Sequence, residues 1–261
     1  MQQRRPGFPA RLPSSAPQGK VSASLAPQVR AAGVSAALAP AGQGLDSAAV
    51  RARMVQRLAA SGAATLPQVL HAMGNVARHH FVDSALANQS YEDTSLPIGL
   101  GQTISKPSIV ARMAELLLGA PGARTAGLGR VLEIGTGCGY QAAVLSLLAR
   151  EVYSIERLRG LHEKARSNLR PLRLANVHLL LGDGMAGYAR GAPYAAIIAA
   201  AGGTGIPEHW CDQLALGGRL VAPVAGTGGG QVLLVVDKTA QGLQQSVLEP
   251  VHFVPLKSGI A

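Results

Sequence analysis

The chain has few aromatic residues and few cysteines, and it lacks a long apolar run. Aromatic residues make up 3% of the 261 residues, so a folded core has to be built from Leu, Val, Ile and Ala. The two cysteines, Cys138 and Cys211, are too few for a disulfide framework, and we therefore expect a cytoplasmic protein. No stretch approaches the roughly 18 apolar residues of a membrane span, so no membrane partner is predicted.

Acidic residues are scarce at the start of the chain. Residues 1–60 carry eight Lys or Arg against one acid, Asp46, a charge of +7, whereas residues 61–261 carry 16 against 13, a charge of +3. Residues 1–46 form a basic extension rich in Ala, Pro and Ser that has no apolar period and is predicted to be disordered. There are three alternatives for this extension. It could be a nucleic-acid arm, a transit peptide, or an extension without function upstream of a later start such as Met54. We favour the last and predict no nucleic-acid partner.

Residues 47–261 are predicted to form a single domain, with helices and an irregular segment in residues 47–125. Tyr91–Ser105 is punctuated by glycine and proline and has no clean period, and a stretch of this length inside a compact domain is usually functional. The helices predicted from apolar spacing are Ser47–Ser61, Leu66–Val76 and Pro107–Leu118.

Residues 126–261 alternate between short apolar strands and amphipathic helices. The predicted strands are Val131–Ile134, Val152–Ile155, Val177–Leu181, Ala195–Ala200, Arg219–Val224, Val232–Asp237 and Leu248–Pro255. The predicted helices between them are Gln141–Ala149, Leu158–Arg170 and Glu208–Leu214. Such alternation predicts an α/β fold of the Rossmann-like, doubly wound type, with a mostly parallel sheet. The last two strands predict an antiparallel finish, and the helices before residue 126 are N-terminal additions.

The segment Arg130–Tyr140 places a glycine turn between a buried strand and a helix. Gly135, Gly137 and Gly139 alternate, which brings bare backbone N–H groups up against a ligand. The spacing is G-x-G-x-G and lacks the further gap of the dinucleotide fingerprint G-x-G-x-x-G. Together with Glu133 just before the turn, it favours S-adenosyl-L-methionine over NAD.

A second acidic residue follows at the end of the next predicted strand. Glu156 lies about 20 residues beyond the glycine turn, where nucleotide-binding α/β folds place the acceptor for ribose hydroxyls. The alternative is a solvated glutamate at a strand end. The histidines, including the adjacent His79 and His80, do not have the spacing of metal ligands, so no metal is predicted.

Several blocks of the chain, from Ala49 to Ala261, resemble the protein-L-isoaspartate O-methyltransferase family. The glycine turn alone indicates only a class I methyltransferase, whereas the sequence Gln-Thr-Ile-Ser-Lys-Pro at positions 102–107 is more specific. The blocks are Leu96–Pro107, similar to the family's substrate loop; Val131–Gln141, similar to its cofactor turn; Gly182–Gly187 with Ala192–Tyr194, similar to its post-strand motif; and Phe253–Leu256, similar to its C-terminal end.

The resemblance implies an enzyme that transfers the methyl group of S-adenosyl-L-methionine to the free carboxylate of isoaspartyl residues in age-damaged proteins, leaving S-adenosyl-L-homocysteine and starting their repair. Its partners would be proteins and peptides with L-isoaspartyl or D-aspartyl residues, and we expect a monomer. Two positions depart from the family: Ala195, where Asp or Asn is usual, and the strand end Ala199–Thr204, where Thr followed by Pro is usual.

The motifs indicate the site residues, and the resemblance implies the role of Ser105. Glu133 would bind the ammonium group of the cofactor directly or through water, or would only orient the turn by accepting backbone N–H bonds. Ser105 is the predicted catalytic residue, because its hydroxyl would orient the acceptor carboxylate; the alternative is that it caps the following helix. Asp183 would accept the adenine amino group, or only form an Asx turn. The predicted substrate-binding residues are Thr103, Ile104, Ser105 and Gln231, the last with a surface amide as the alternative. The predicted cofactor-binding residues are Glu133, Gly135, Thr136, Gly137, Gly139, Glu156, Asp183 and Gly184.

Two other functions remain open from the residues. A class I methyltransferase with another acceptor, a small molecule or RNA, would keep the glycine turn without needing the Gln102–Pro107 block. A cofactor-binding or nucleic-acid-binding protein without catalysis would fit the basic extension and the alanines at the strand end. Methyl transfer to an isoaspartyl peptide, but not to its aspartyl counterpart, separates both from the enzyme described above.

Overall fold

The computed structural model describes residues 47–261, except for the side chains of residues 124–126. The predicted disordered extension, residues 1–46, therefore lies outside the described residues. The helices are α1 (Ser47–Ala60), α2 (Pro67–Asn75), α3 (Pro107–Leu118), α4 (Pro121–Ala126), α5 (Tyr140–Ser146), α6 (Arg159–Leu169) and α7 (Glu208–Gln213). Short 3-10 helices lie at Arg78–Phe81, Ser84–Gln89, Arg170–Leu172, Gly184–Ala186 and Ala189–Gly191.

A hairpin and a seven-stranded sheet make up the strands. The hairpin is β1 (Leu96–Gly99) and β2 (Gln102–Ile104), and the sheet strands are β3 (Leu128–Ile134), β4 (Ala149–Glu156), β5 (Val177–Leu181), β6 (Tyr194–Ala199), β7 (Leu214–Ala225), β8 (Gln231–Thr239) and β9 (Gly242–Val251). The sheet order is β5-β4-β3-β6-β7-β8-β9. Strands β3 to β7 pair in parallel, and β8 and β9 pair antiparallel. The predicted doubly wound fold with an antiparallel finish is confirmed.

The strand order reverses between β3 and β6, which are adjacent in the sheet although β4 and β5 come between them in the chain. Ile134 and Ala199 pair at the carboxyl ends of these two strands. Ligands of open α/β sheets bind in the crevice outside the strand ends at such a reversal. The glycine turn follows β3 directly, so it lies at this crevice.

Both faces of the sheet are covered, which explains why its central strands read as continuous apolar runs. On one face, Val131 of β3 packs in a cluster with Val110 and Met113 of α3. On the other, Leu132 packs in a cluster with Trp210 of α7. These clusters fix the central strands from both sides and so set the positions of the loops at their ends.

Several segments differ from the sequence-based expectation. Helix α4 was not predicted, α5 ends at Ser146 and β7 begins at Leu214, whereas a helix to Ala149 and a strand from Arg219 were predicted. Tyr91–Ser105 is not wholly irregular, because β1 and β2 pair antiparallel with Leu96 opposite Ile104. Each strand is only three or four residues long, too short to show an alternating pattern against the surrounding glycines. Strand β9 begins at Gly242 and ends at Val251, earlier than predicted. Its first residues are exposed and polar, and only pairing with β8 makes them a strand.

The described part of the chain has neither a membrane-spanning helix nor a cluster of metal-binding side chains. No helix in residues 47–261 is long and apolar enough to cross a membrane. Within the same residues, no group of three or more His, Cys, Asp or Glu side chains is arranged to hold a metal ion.

Candidate functional site

The three glycines of the turn after β3 all adopt backbone angles that side chains disfavour. Gly135, Gly137 and Gly139 have φ of +89°, +56° and +90°. A Cβ on Gly139 would also lie 3.0 Å from Cδ1 of Leu169 on α6. The alternate spacing seen in the sequence is therefore required by the backbone of the turn and by the close packing of α6 against it.

Glu156, at the end of β4, ties the glycine turn to the start of α6. Its Oε2 accepts the N–H of Gly137 at 2.9 Å, and its Oε1 accepts the N–H of Leu158 at 2.9 Å. The residue is 5% exposed. An ionised carboxylate has about four lone-pair positions, so these two bonds leave acceptor capacity for a ligand.

Glu133 lies behind the turn, fully buried. Its Oε2 accepts a hydrogen bond from the Ser154 hydroxyl, which is in turn 2.6 Å from Oγ1 of Thr136. Burial raises the pKa of Glu133 to about 8. Among the described residues, Oε1 of Glu133 and Nε2 of Gln141 have no hydrogen-bond partner. The structure thus places Glu133 beneath the turn, where it supports Thr136 through Ser154.

A cavity of about 490 Å³ lies at the crevice. Its walls are the hairpin with Ser105, the turn from Gly135 to Cys138, the segment Glu156–Leu158, and the C-terminal segment Val254–Lys257. Its volume is in the range of pockets that bind small molecules. Of the predicted cofactor residues, Gly135, Thr136, Gly137, Glu156 and Gly184 line the cavity, whereas Glu133, Gly139 and Asp183 do not.

The substrate loop meets the turn at this cavity. Thr103, Ile104 and Ser105 line it, and Thr103 and Ser105 also line an adjoining cavity of about 380 Å³. Ser105 does not cap α3, since the N-cap residue is Lys106 and makes no side-chain cap. The first turn of α3 is instead bound by Asp93, which accepts hydrogen bonds from Ser108 and which the sequence did not single out. Ser105, the predicted catalytic residue, lines both cavities.

Asp183 uses both carboxylate oxygens on backbone N–H groups. Oδ1 accepts from Met185 at 2.9 Å, the predicted Asx turn, and Oδ2 accepts from Gly259 at 2.7 Å. The neighbouring Gly184 is fixed by packing, because a Cβ there would lie 2.6 Å from Cγ2 of Ile134. Gly184 therefore lines the cavity, whereas the carboxylate of Asp183 binds the backbone at Gly259, beyond the C-terminal segment.

Gln231 is not brought to either cavity. It begins β8, and its Oε1 accepts the N–H of Phe253 at 2.6 Å. Its Nε2 lies so near Gly202 that a Cβ there would be 2.4 Å away. The side chain joins two backbone segments, a role that a loop amide in the sequence does not indicate.

The C-terminal segment was missed as part of the site. The N–H of Gly202 donates to Val254 O, and the N–H of Leu256 donates to Gly202 O, both at 2.8 Å. Pairing of this kind joins residues about 50 positions apart and leaves no local pattern; the only signal was the resemblance of the block Phe253–Leu256. Of the two departures from the family, Ala200 lines both cavities and Ala195 neither.

Comparisons of the sequence with known proteins agree on one family. A family model described as protein-L-isoaspartate(D-aspartate) O-methyltransferase (PCMT) matches residues 49–261. A protein-L-isoaspartate O-methyltransferase of Methylibium petroleiphilum is 58% identical over 264 residues, which cover 97% of this chain and 96% of the relative. The Leptothrix cholodnii protein of the same name is 62% identical over 221 residues, 84% of this chain and 77% of the relative.

Solved structures give the same fold. A protein-L-isoaspartate O-methyltransferase with 28% identity superposes with a TM-score of 0.71, covering 80% of this chain and 67% of that one. A Plasmodium falciparum protein described as a putative member of the same family, in complex with S-adenosyl-L-homocysteine, has 23% identity and a TM-score of 0.68. It covers 79% of this chain and 98% of that one. At that identity the second match supports the fold alone.

Proposed function

The chain belongs to the protein-L-isoaspartate(D-aspartate) O-methyltransferase family, and we propose that the cavity between its glycine turn and Ser105 is where the methyl group is transferred. The protein is an S-adenosyl-L-methionine-dependent carboxyl O-methyltransferase that acts on the free carboxylate of isoaspartyl residues in damaged proteins. One observation carries the assignment of the site: a single cavity is lined both by the turn after β3 and by the serine of the substrate loop.

The donor side of the cavity fits S-adenosyl-L-methionine in its chemistry. The carboxylate of Glu156 has acceptor capacity for the two ribose hydroxyls. Gln141 lines the cavity, and its side chain lies beside the carboxyl group of Glu133, so its amide is a buried polar group at the cavity wall. Ile134, Ile155 and Leu158 add apolar walls.

The reaction needs no general base. An acceptor carboxyl has an ordinary pKa of about 4, so it is ionised at neutral pH and already nucleophilic. S-adenosyl-L-methionine supplies a methyl group on a sulfonium, whose leaving group is a neutral thioether. The protein therefore has to hold the two reactants in line and exclude water from the attacking oxygen.

In this proposal, Ser105 orients the acceptor carboxylate. It lies where the cavity with the glycine turn meets the adjoining cavity, which opens beside Lys106 and His252. Its hydroxyl would donate a hydrogen bond to one carboxylate oxygen and leave the other free to attack. Ile104, buried at 4% exposure, lines the cavity next to it and keeps water from the reacting atoms.

We further propose that the protein acts as a monomer in the cytoplasm on proteins and peptides with L-isoaspartyl or D-aspartyl residues, without a nucleic-acid partner. Cys138 and Cys211 are both free, as a reducing compartment allows. Residues 61–261 carry a net charge of only +3, which does not favour a nucleic-acid partner for this part of the chain. Light scattering of the purified chain tests the monomer.

The test compares the wild type with Ser105→Ala on an isoaspartyl peptide and on its aspartyl counterpart. We expect the wild type to methylate only the isoaspartyl peptide. Ser105→Ala should lower kcat/KM at least about tenfold, the cost of one hydrogen bond to a charged group, and leave the Kd of S-adenosyl-L-homocysteine unchanged. The matched control is Ser61→Ala, because the hydroxyl of Ser61 donates to Leu58 O, away from the cavity. An inactive wild type, or equal activity of the two variants, would refute the proposal.

A further inference from the structure

The base of the substrate hairpin is held by a buried arginine. Arg78 is fully buried, and its Nε donates to Ser90 O at 2.7 Å while Nη2 donates to Thr94 O at 3.4 Å. These two carbonyls lie on the segment just before β1. Burying a guanidinium is costly unless nearby groups compensate it, and these two carbonyls do so in part, since Nη1 has no hydrogen-bond partner among the described residues.

The same arginine reaches the donor side of the cavity. Its guanidinium carbon lies 4.9 Å from the ring centre of Tyr140, the first residue of α5. Tyr140 is 1% exposed, lines the cavity and directly follows the glycine turn. Arg78 therefore connects the base of the hairpin to the wall beside the donor.

Asp93 ties the other end of the hairpin. Oδ1 of Asp93 accepts the backbone N–H of Ser108 at 2.8 Å, and Oδ2 accepts the Ser108 hydroxyl at 2.8 Å. Ser108 lies in the first turn of α3, three residues after Ser105. Asp93 also lies between the two carbonyls that Arg78 binds, and the opposite charges of Asp93 and Arg78 attract each other. Asp93 thus joins the chain just before β1 to the chain just after β2.

We propose that Arg78 and Asp93 are positioning residues for methyl transfer, which together set the distance of Ser105 from the donor wall at Tyr140. The inference rests on the proposed function, because it takes Ser105 as the group that orients the acceptor. Transfer between two bound groups depends steeply on their alignment, and a displacement of about 1 Å can cost roughly 100-fold in rate. The hairpin is also held by Leu96, Ile98 and Ile104, which are buried in the core, and by Lys164, whose Nζ donates to Ile98 O at 2.8 Å. Arg78 and Asp93 add the hydrogen bonds at its base, next to Ser105 in the chain.

The bland alternative is that Asp93 stabilises the fold as any helix cap does. The chain offers a matched cap for comparison: Oδ1 of Asp83 accepts the N–H of Ala85 at 2.9 Å at the start of a 3-10 helix. Asp83 is exposed and does not touch the hairpin or the cavity. Both caps stabilise, but only Asp93 is joined to the loop that carries Ser105.

The experiment measures kcat and KM for an isoaspartyl peptide, the Kd of S-adenosyl-L-homocysteine and the melting temperature of four variants. Asp93→Ala should lower kcat about 10- to 100-fold with little change in Kd, and Asp83→Ala should lower the melting temperature with kcat unchanged. Asp93→Asn keeps an oxygen for the Ser108 N–H and should regain most of the lost kcat. Ser108→Ala removes only the hydroxyl bond and gives a milder loss, should Asp93→Ala fail to fold.

Two outcomes would overturn the inference, and they differ. If the wild type is active and Asp93→Ala, or in its place Ser108→Ala, keeps the kcat of Asp83→Ala, Asp93 is only a cap and the proposed function stands. If the wild type itself does not methylate the isoaspartyl peptide, the proposed function fails and this inference fails with it.

Discussion

Replacing Glu156 by Gln tests whether its carboxylate both shapes the glycine turn and binds the donor. The two oxygens accept N–H groups from Gly137 and Leu158, one each. A glutamine has a single oxygen, so its NH₂ group must face one of these donors. The substitution is nearly isosteric, which confines the change to hydrogen bonding and charge.

The structure sets the size of two effects. One backbone donor loses its acceptor in a site where Glu156 is 5% exposed, which costs about 1–3 kcal/mol of unfolding free energy. Hydrogen bonds to charged groups contribute about 1.5–3 kcal/mol, so loss of one such bond to a ribose hydroxyl should weaken donor binding roughly 10- to 160-fold.

Calorimetric titration with S-adenosyl-L-homocysteine measures the second effect, and urea unfolding measures the first. Glu163→Gln is the control, because Glu163 is exposed on α6 and pairs only with Arg166 at 3.5 Å, an interaction that contributes about 0–1 kcal/mol. If the Kd of S-adenosyl-L-homocysteine is unchanged in Glu156→Gln and the turn is intact, Glu156 does not bind the ribose of S-adenosyl-L-methionine.

Two further predictions concern the residues around the turn. Burial raises the pKa of Glu133 from an ordinary 4.5 to about 8, so the folded protein keeps a proton that the unfolded chain releases in that window. The unfolding free energy should therefore fall as pH rises from about 5 to 8, and Glu133→Gln should flatten this slope in urea titrations; an equal slope in both proteins contradicts the shift. Gly139→Ala should lower the free energy of unfolding by about 2–5 kcal/mol, because Gly139 has a positive φ and its Cβ would contact Leu169. Gly62→Ala should lower it by only about 1–2 kcal/mol, because Gly62 has a positive φ but no atom within 4 Å of the added Cβ. Equal melting temperatures for these two variants would show that Leu169 moves aside.

The sequence located the parts of the site that are local in the chain. The strand before Gly135 and the helix after Gly139 read directly from apolar runs, since both elements are buried in the sheet and its helical cover. Glu156 was placed by its distance from the turn, because one strand–helix–strand unit has a nearly fixed length. Ser105 was placed by the resemblance of its block, and the structure brings it to the same cavity as the turn.

The roles of polar side chains were less readable, because each depends on which neighbours the fold supplies. Asp183 and Gln231 were predicted to bind ligands, yet in the structure their side-chain oxygens accept hydrogen bonds from the backbone N–H groups of Gly259 and Phe253. Glu133 read as a cofactor contact and lies behind the turn. The partners Gly259 and Phe253 lie near the end of the chain, and Ser154, the partner of Glu133, lies on β4.

The doubly wound sheet, the glycine turn and the serine block could be predicted from the amino-acid sequence, because apolar periodicity and backbone angles are properties of neighbouring residues. How the two sides of the cavity meet depends on contacts that exist only in the folded chain. The hydrogen bonds of Arg78, Asp93 and the segment Val254–Lys257 join positions that are not neighbours in the chain, and such bonds leave no periodic trace in a single sequence.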